Sequence, residues 1–393
     1  MKIGVGLLLA SGLAVFAAWA TSPDPRGNPA SFEDTPLVPA IAPLDEAVTL
    51  AVYRDAEGRA ATLLVTGFAG ESVTGVDLRQ FGGERTGDPL RDFASLPPDR
   101  IESAGLGALP SETLEMADLL PAAPGGEQHI GTGTNFPEHA EEANSSSVFQ
   151  FPKFGAATPA RTTVTARPGI LLDYEVELCV RFDRDIATIE DFDEATKGVF
   201  LCGDFTDRNA LVELADPDNL DSGYGFSDAK SGPGAYPSGP FVVVPRDWSG
   251  FVDRLRMTTA VNGDPRQDAR GGEMTLDFRK LARRALSDMD DARFFYHGDF
   301  VRLAPDQRIA RDMTLMSGTS EGVIFTPPTR ADMIEGTLAY LGAGGPFSGT
   351  GLVDTIKRHF IAGELASGQF LKPGDRVTHG SNWLGTIVVE VVE

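Results

Sequence analysis

Cysteine is almost missing from this chain: Cys179 and Cys202 are the only two in 393 residues. So few exclude a small scaffold stapled by disulfides. They leave open one bridge, formed in an oxidising compartment, or two buried thiols inside apolar, strand-like runs. Positive charge is scarce as well. Lysine and arginine number 34 against 57 aspartates and glutamates, a formal net charge of -23. That excess argues against a nucleic-acid partner, whose phosphates need a basic surface. Internal repeats are lacking, and so are both common glycine patterns of nucleotide-binding loops. Beyond the first twenty residues there is no apolar run long enough to cross a bilayer.

What is present supports a folded protein. Hydrophobic residues make up 41% of the chain, enough for one large core or two domains. The start is distinctive. Lys2 precedes the nearly unbroken apolar run Ile3 to Ala20, which ends in the small-x-small triplet Ala18-Trp19-Ala20. This reads as a signal peptide over residues 1–20, with export to the periplasm or medium; the alternative is an uncleaved membrane anchor. Residues 21–43 read as a Pro-rich linker. Residues 44–125 read as a small α+β domain, with strands over Ala47–Tyr53 and Ala60–Thr66, and residues 126–393 as a second, larger domain.

The most informative stretch is Leu172-Asp173-Tyr174-Glu175-Val176-Glu177-Leu178. Its alternation predicts a strand with Glu175 and Glu177 on one face and apolar residues on the other. Two adjacent carboxylates are costly to bury without a partner, and a divalent cation satisfies both. A solvated edge strand is the plainer reading. A further strand over Val199–Cys202 ends next to Asp204, which can join the pair. Three carboxylates form an all-oxygen set suited to Mg²⁺, Mn²⁺ or Ca²⁺.

Other candidates surround this stretch. Pro137 suits a first helical turn, and on that helix His139 and Glu142 share a face, as in a general-base pair. Lys230 stands at the mouth of a Gly/Pro loop, where it can meet a substrate carboxylate or an enolate. Asn262-Gly263 marks a hairpin turn, and Thr275–Leu286 reads as an amphipathic helix. Residues 325–369 carry two helix patterns, one capped by Thr329 with Met333, Ile334, Leu338 and Leu341, the other with Val353, Ile356, Phe360 and Leu365. This segment is expected to be a helical hairpin over the site entrance, or else a packing or dimer-contact insertion.

Several of these motifs occur in one order: Asn135-Phe136-Pro137-Glu138-His139 with Glu142, the Glu175-Val176-Glu177 strand, Asp204 to Arg208, Lys230, Asn262-Gly263 with Arg266-Gln267, Gly318-Thr319, and Lys372-Pro373-Gly374-Asp375. The set resembles the fumarylacetoacetate hydrolase family over roughly residues 130–393. The resemblance implies an α+β, mostly β, mixed-sheet roll and a homodimer. It implies metal ligation by Glu175, Glu177 and Asp204, and water activation by His139 with Glu142. It also implies substrate contact through Lys230, Gly318, Thr319 and Arg208. Departures stand at Gly203, Asn209, Gly232-Pro233-Gly234 and Ser320; they spare the ligands and the His–Glu pair but blur the substrate. The expected activity is metal-dependent hydrolysis of a C–C bond in a 1,3-dicarbonyl or acylpyruvate-type 2-oxo acid. Decarboxylation, isomerisation or dehydration of such an acid, or an exported binding protein without catalysis, are the alternatives.

Overall fold

The computed structural model describes residues 13–22, 30–97, 99–145, 147–347 and 349–393. Residues 1–12, most of the expected signal peptide, and residues 23–29 of the expected linker lie outside the described residues. No helix among the described residues is long and apolar enough to cross a membrane.

Among the described residues, twenty strands carry the fold. In the first half they are β1 (Ala47–Arg54), β2 (Ala60–Ala69), β3 (Ser72–Asp77), β4 (Glu112–Glu115), β5 (Leu119–Leu120), β6 (Gln128–Gly133), β7 (Phe149–Phe154), β8 (Arg161–Thr165), β9 (Leu172–Asp173) and β10 (Val176–Phe182). The second half adds β11 (Lys197–Gly203), β12 (Thr206–Asp207), β13 (Phe241–Pro245), β14 (Arg256–Val261), β15 (Asp264–Arg270), β16 (Phe294–Tyr296), β17 (Asp299–Val301), β18 (Leu315–Thr319), β19 (Arg376–Ser381) and β20 (Thr386–Val392). The large sheet runs β4-β3-β2-β1-β13-β11-β10-β18-β6-β7, with β5 also on β1. A second sheet runs β15-β14-β19-β20-β8. Antiparallel pairs dominate; β18 with β6 and β20 with β8 are parallel, so both sheets are mixed.

Residues 44–125 do not form a sheet of their own. β1 pairs directly with β13, so the N-terminal strands extend the large sheet built by residues 126–393. Thr49, Leu50 and Ala51 are buried there, and separating the two parts would expose that seam. The linker is also less free than its composition suggests. Ala40 donates to the Asn382 carbonyl at 2.8 Å, Arg256 donates to the Thr35 carbonyl at 2.6 Å, and Glu33 pairs with Arg270. The hairpin signal is met: Asn262 and Gly263 have φ of 53° and 89°, and Val261 faces Asp264 across a two-residue turn.

β10 lies inside the large sheet between β11 and β18 and is buried along its whole length. Val176, Leu178, Val180 and Phe182 enter the main core, while Glu177, Cys179 and Arg181 lie on the other face. The edge-strand reading is thereby excluded. The continuous strand expected over 172–178 is interrupted at Tyr174 and Glu175. There the chain turns from β9, which pairs with β12, to β10.

Cys179 and Cys202 are bridged, with Cα atoms 6.0 Å apart. The bridge joins β10 to β11 diagonally, two residues after Glu177 and two before Asp204. It closes a span of 23 residues, which by loop-closure entropy stabilises the fold by about 3 kcal/mol. Replacing both cysteines by alanine is therefore expected to lower the unfolding free energy in urea by about that amount. An unchanged urea midpoint would contradict the bridge.

Candidate metal and acid–base site

The site is assembled where β10 begins and β11 ends. Glu175 immediately precedes β10, Glu177 is its second residue, and Asp204 follows β11. Ligand oxygens of all three lie within 4.8 Å of one another, and all three side chains are buried. The backbone holds the set together, because Asp204 N donates to the Glu175 carbonyl at 2.9 Å and Val176 pairs with Gly203.

Glu175 and Asp204 are already partly neutralised. Arg208, the first residue of helix α2 (Arg208–Leu214), bonds Glu175 Oε1 at 2.8 Å and Asp173 Oδ2 at 2.8 Å. Lys230 Nζ lies 2.7 Å from Glu175 Oε2, 3.0 Å from Asp204 Oδ2 and 2.9 Å from Thr206 Oγ1. Lys153 Nζ, fully buried, donates to Asp204 Oδ1 at 2.7 Å. Glu177 is treated differently. Its Oε2 accepts from the Gly318 backbone at 2.9 Å, and its Oε1 is buried with no hydrogen-bond partner among the described residues.

These surroundings split the carboxylates. Burial works against the Glu175 charge, but Lys230 and Arg208 outweigh it and hold its pKa at about 2. Burial, together with the charges of Asp204 and Glu175, pushes Glu177 well above the ordinary carboxylate range. Burial also opposes the Lys230 charge, yet Asp204 and Glu175 raise its pKa. The orphan oxygen of Glu177 and the all-oxygen donor set fit a hard divalent cation. Glu175, Glu177 and Asp204 would hold it.

Gly318 makes the Glu177 contact possible. Glu177 faces Thr319 while Cys179 faces Met316, so β18 carries an extra residue opposite β10. Gly318 sits in that bulge with φ of 80°, and a Cβ there would meet the Thr132 carbonyl at 3.0 Å. Gly318, expected from the resemblance to contact substrate, gives its backbone N–H to Glu177. Thr319 does reach the cavity, and its hydroxyl is fixed between the Val176 carbonyl and Gln267 Nε2, each at 2.9 Å.

His139 and Glu142 lie on α1 (Pro137–Glu142), where the ring Nδ1 is 2.9 Å from Glu142 Oε2. The other oxygen of Glu142 accepts from Gly322 N at 2.8 Å, so the carboxylate cannot swing away. This leaves His139 Nε2 as the nitrogen that can exchange a proton at the cavity. The cavity, about 470 Å³, is lined by His139, Glu142, Glu175, Arg208, Lys230 and Thr319.

The hairpin of residues 325–369 forms α3 (Arg330–Gly342) and α4 (Leu352–Ser367), with Thr329 and Asp332 in a reciprocal cap. Met333, Val353, Ile356 and Lys357 line the same cavity, so the hairpin covers the site. The apolar pattern of α3 does not mark a buried face, however. Leu338 and Leu341 are 60% and 59% exposed, because α3 meets α4 through Gly336, where a Cβ would approach Ile356 Cα to 2.8 Å.

Sequence reasoning placed Lys230 and Arg208 on substrate; both line the cavity, but their charges are spent chiefly on Glu175, Asp204 and Asp173. It missed Lys153 as a site residue and Gln267 as the support of Thr319. The signal for Lys153 was a lysine inside the apolar strand Phe149-Gln150-Phe151-Pro152-Lys153-Phe154.

A stability profile tests the assignment of Glu177. Because folding raises its pKa, the fold favours the protonated acid. That contribution is whole below the ordinary value of 4.5 and is lost as pH rises through the raised value. Chelator-treated protein should lose stability with rising pH, and Glu177→Gln should flatten that part of the profile while abolishing stabilisation by added Mn²⁺. Parallel profiles for both proteins, or Mn²⁺ stabilisation surviving in the variant, would remove Glu177 from the site.

With this geometry in view, the chain can be set beside known proteins. Residues 128–392 match the model of the fumarylacetoacetate (FAA) hydrolase C-terminal family. A crystal structure of a protein assigned as HpcE from Mycobacterium smegmatis superposes with a TM-score of 0.53 at 21% identity, over 88% of this chain and 100% of that one; this likeness shows the fold. Fumarylacetoacetate hydrolase from Exiguobacterium antarcticum gives a TM-score of 0.49 at 17% identity, over 88% of this chain and 99% of that one. An uncharacterized protein of Staphylococcus epidermidis is 28% identical over 179 residues, 42% of this chain. The match spans only about half of that relative, 54% of its length. The family match takes in the paired glutamates, Asp204, the His139–Glu142 pair and the Gly318 bulge within one continuous region, and the chain belongs to the fumarylacetoacetate hydrolase family.

Proposed function

We propose that this protein is an exported, divalent-metal-dependent hydrolase that cleaves a C–C bond in an acylpyruvate-type 2-oxo acid or related 1,3-dicarbonyl. The observation that carries the reading is that the His139–Glu142 pair and Glu175, one of the three clustered carboxylates, line one covered cavity. Glu175, Glu177 and Asp204 would hold Mg²⁺ or Mn²⁺, whose Lewis acidity when bound polarises the two neighbouring oxygens of such a substrate.

The remaining work falls to the chain. Glu142 orients the His139 ring and steadies its charged form, so that Nε2 can take a proton from water. The resulting hydroxide adds to the carbonyl carbon, and the C–C bond breaks with its electron pair left on the enolate. The imidazolium then returns its proton to the enolate carbon, releasing a carboxylic acid and a ketone-type product. Lys230 stands at the cavity wall, where its positive charge offsets the developing negative charge, and Thr319 shapes the wall beside it. The covering hairpin limits access of bulk water, which strengthens each of these interactions. Support for export comes from the apolar stretch up to Ala20 and from the Cys179–Cys202 bridge, since disulfides persist in oxidising compartments.

Turnover of a panel of acylpyruvates and oxaloacetate in the presence of Mg²⁺ or Mn²⁺ tests the reading. His139→Ala should lower kcat by ~10²–10⁴-fold with metal affinity intact, the usual contribution of a positioned base. Near-native turnover by this variant would remove His139 from the mechanism. A wild-type protein that binds metal and turns over nothing in the panel would favour a binding protein.

A further inference from the structure

The wall of the cavity changes character away from the carboxylates. Its polar end holds His139, Glu175, Arg208, Lys230 and Thr319. Most of the rest is apolar, built from Phe149, Leu220 and Phe226 on the roll and from Met333, Val353 and Ile356 on the hairpin. Phe149 and Phe226 lock each other edge to face, with ring centroids 4.6 Å apart. Phe325 continues the wall up to the site itself, since the Arg208 guanidinium lies 5.2 Å from its ring centre.

Two of the three cations on this wall are already paired with carboxylates. Arg208 and Lys230 serve the buried carboxylates, and Lys357, half-buried on the hairpin, donates through Nζ to the Glu213 carbonyl at 2.8 Å. A second carboxylate on the far arm of a substrate would lie against mostly apolar side chains, and its desolvation there is costly. An apolar cavity of about 150 Å³ suffices to take up benzene. The cavity here, about 470 Å³, has room for a 2-oxo acid head and an arm of at least ring size.

We infer that the substrate is a 2-oxo acid or acylpyruvate whose far arm is uncharged and apolar, an aryl group or an aliphatic chain, and not a dicarboxylate. This inference rests on the proposed function for the head group and adds the nature of the arm. The polar end takes the 2-oxo acid, while the phenylalanine wall and the hairpin enclose the arm. Met333, Val353 and Ile356 then determine specificity without touching the bonds that break.

Calorimetric binding to the Mg²⁺-supplemented protein tests this without requiring turnover. The probes are pyruvate, 2-oxohexanoate, 2-oxooctanoate and the dicarboxylate 2-oxosuberate. Affinity should rise by about 2.5- to 4-fold per added methylene, so that 2-oxooctanoate, about five methylenes longer, binds about 100- to 1,000-fold tighter than pyruvate. 2-Oxosuberate should bind at least about tenfold weaker than 2-oxooctanoate. Met333→Lys, a change at a half-exposed helix position, should narrow or reverse that last preference. Affinity that is flat along the series, or 2-oxosuberate binding as tightly as 2-oxooctanoate, would overturn the inference. The two readings fail separately. Chain-length-dependent binding with no turnover of the matching acylpyruvates sinks the hydrolase and leaves the apolar arm; turnover with flat affinity does the reverse.

Discussion

The architecture depends on a balance of buried charge. Asp173, Glu175, Glu177 and Asp204 face Lys153, Arg208 and Lys230 in the interior, all seven buried. Ion pairs of this kind are stable only when nearly every oxygen and proton is satisfied, since desolvation of each group costs several kcal/mol. Six of the seven meet that condition through short contacts. Glu177 carries the remainder: four carboxylates against three cations leave one negative charge, and its Oε1 is the atom without a partner. Without a cation the cheapest remedy is a proton on Glu177, which accounts for its raised pKa. A divalent ion offers another remedy at the same atom, and the site's capacity for metal follows from the imbalance.

The rest of the structure keeps that balance in register. The Cys179–Cys202 bridge ties together the strands that deliver Glu177 and Asp204. The Gly318 bulge supplies the one backbone donor to the Glu177 side chain among the described residues. Asp173 has two tasks: it holds Arg208 and accepts from the Ile324 and Phe325 amides at 3.0 Å, fixing the start of the hairpin beside the site. A change at the charge cluster is therefore also felt at the cover of the cavity. The apolar wall contributes by excluding water, and in a dry site each charge interaction is stronger.

Much of this was legible in the sequence wherever a pattern is local. The Asn262-Gly263 turn, the Thr329 cap, the His139–Glu142 spacing and the strand-end position of Asp204 all follow from short-range rules, and each is found as expected. What escaped depends on long-range pairing. The union of β1 with β13 could not be read from residues 44–125 alone, because a half-buried strand has the same pattern whichever strand it joins. Lys153 was not singled out, because its partners Asp204 and Ala235 are distant in sequence. The two cysteines permitted a bridge or two thiols until β10 and β11 were seen side by side. The helical period of α3 suggested a buried stripe, but the contact is made by Gly336, which carries no hydrophobic signal.

The central claim is that the charge deficit at Glu177 is a cation site shared with Glu175 and Asp204. Anomalous diffraction from a crystal soaked in Mn²⁺ tests it most directly. The account predicts one strong peak bounded by these three side chains, with Glu177 Oε1 among the ligands. Clear density for Lys230 bridging Glu175 and Asp204, with no anomalous peak beside them at saturating Mn²⁺, would contradict it.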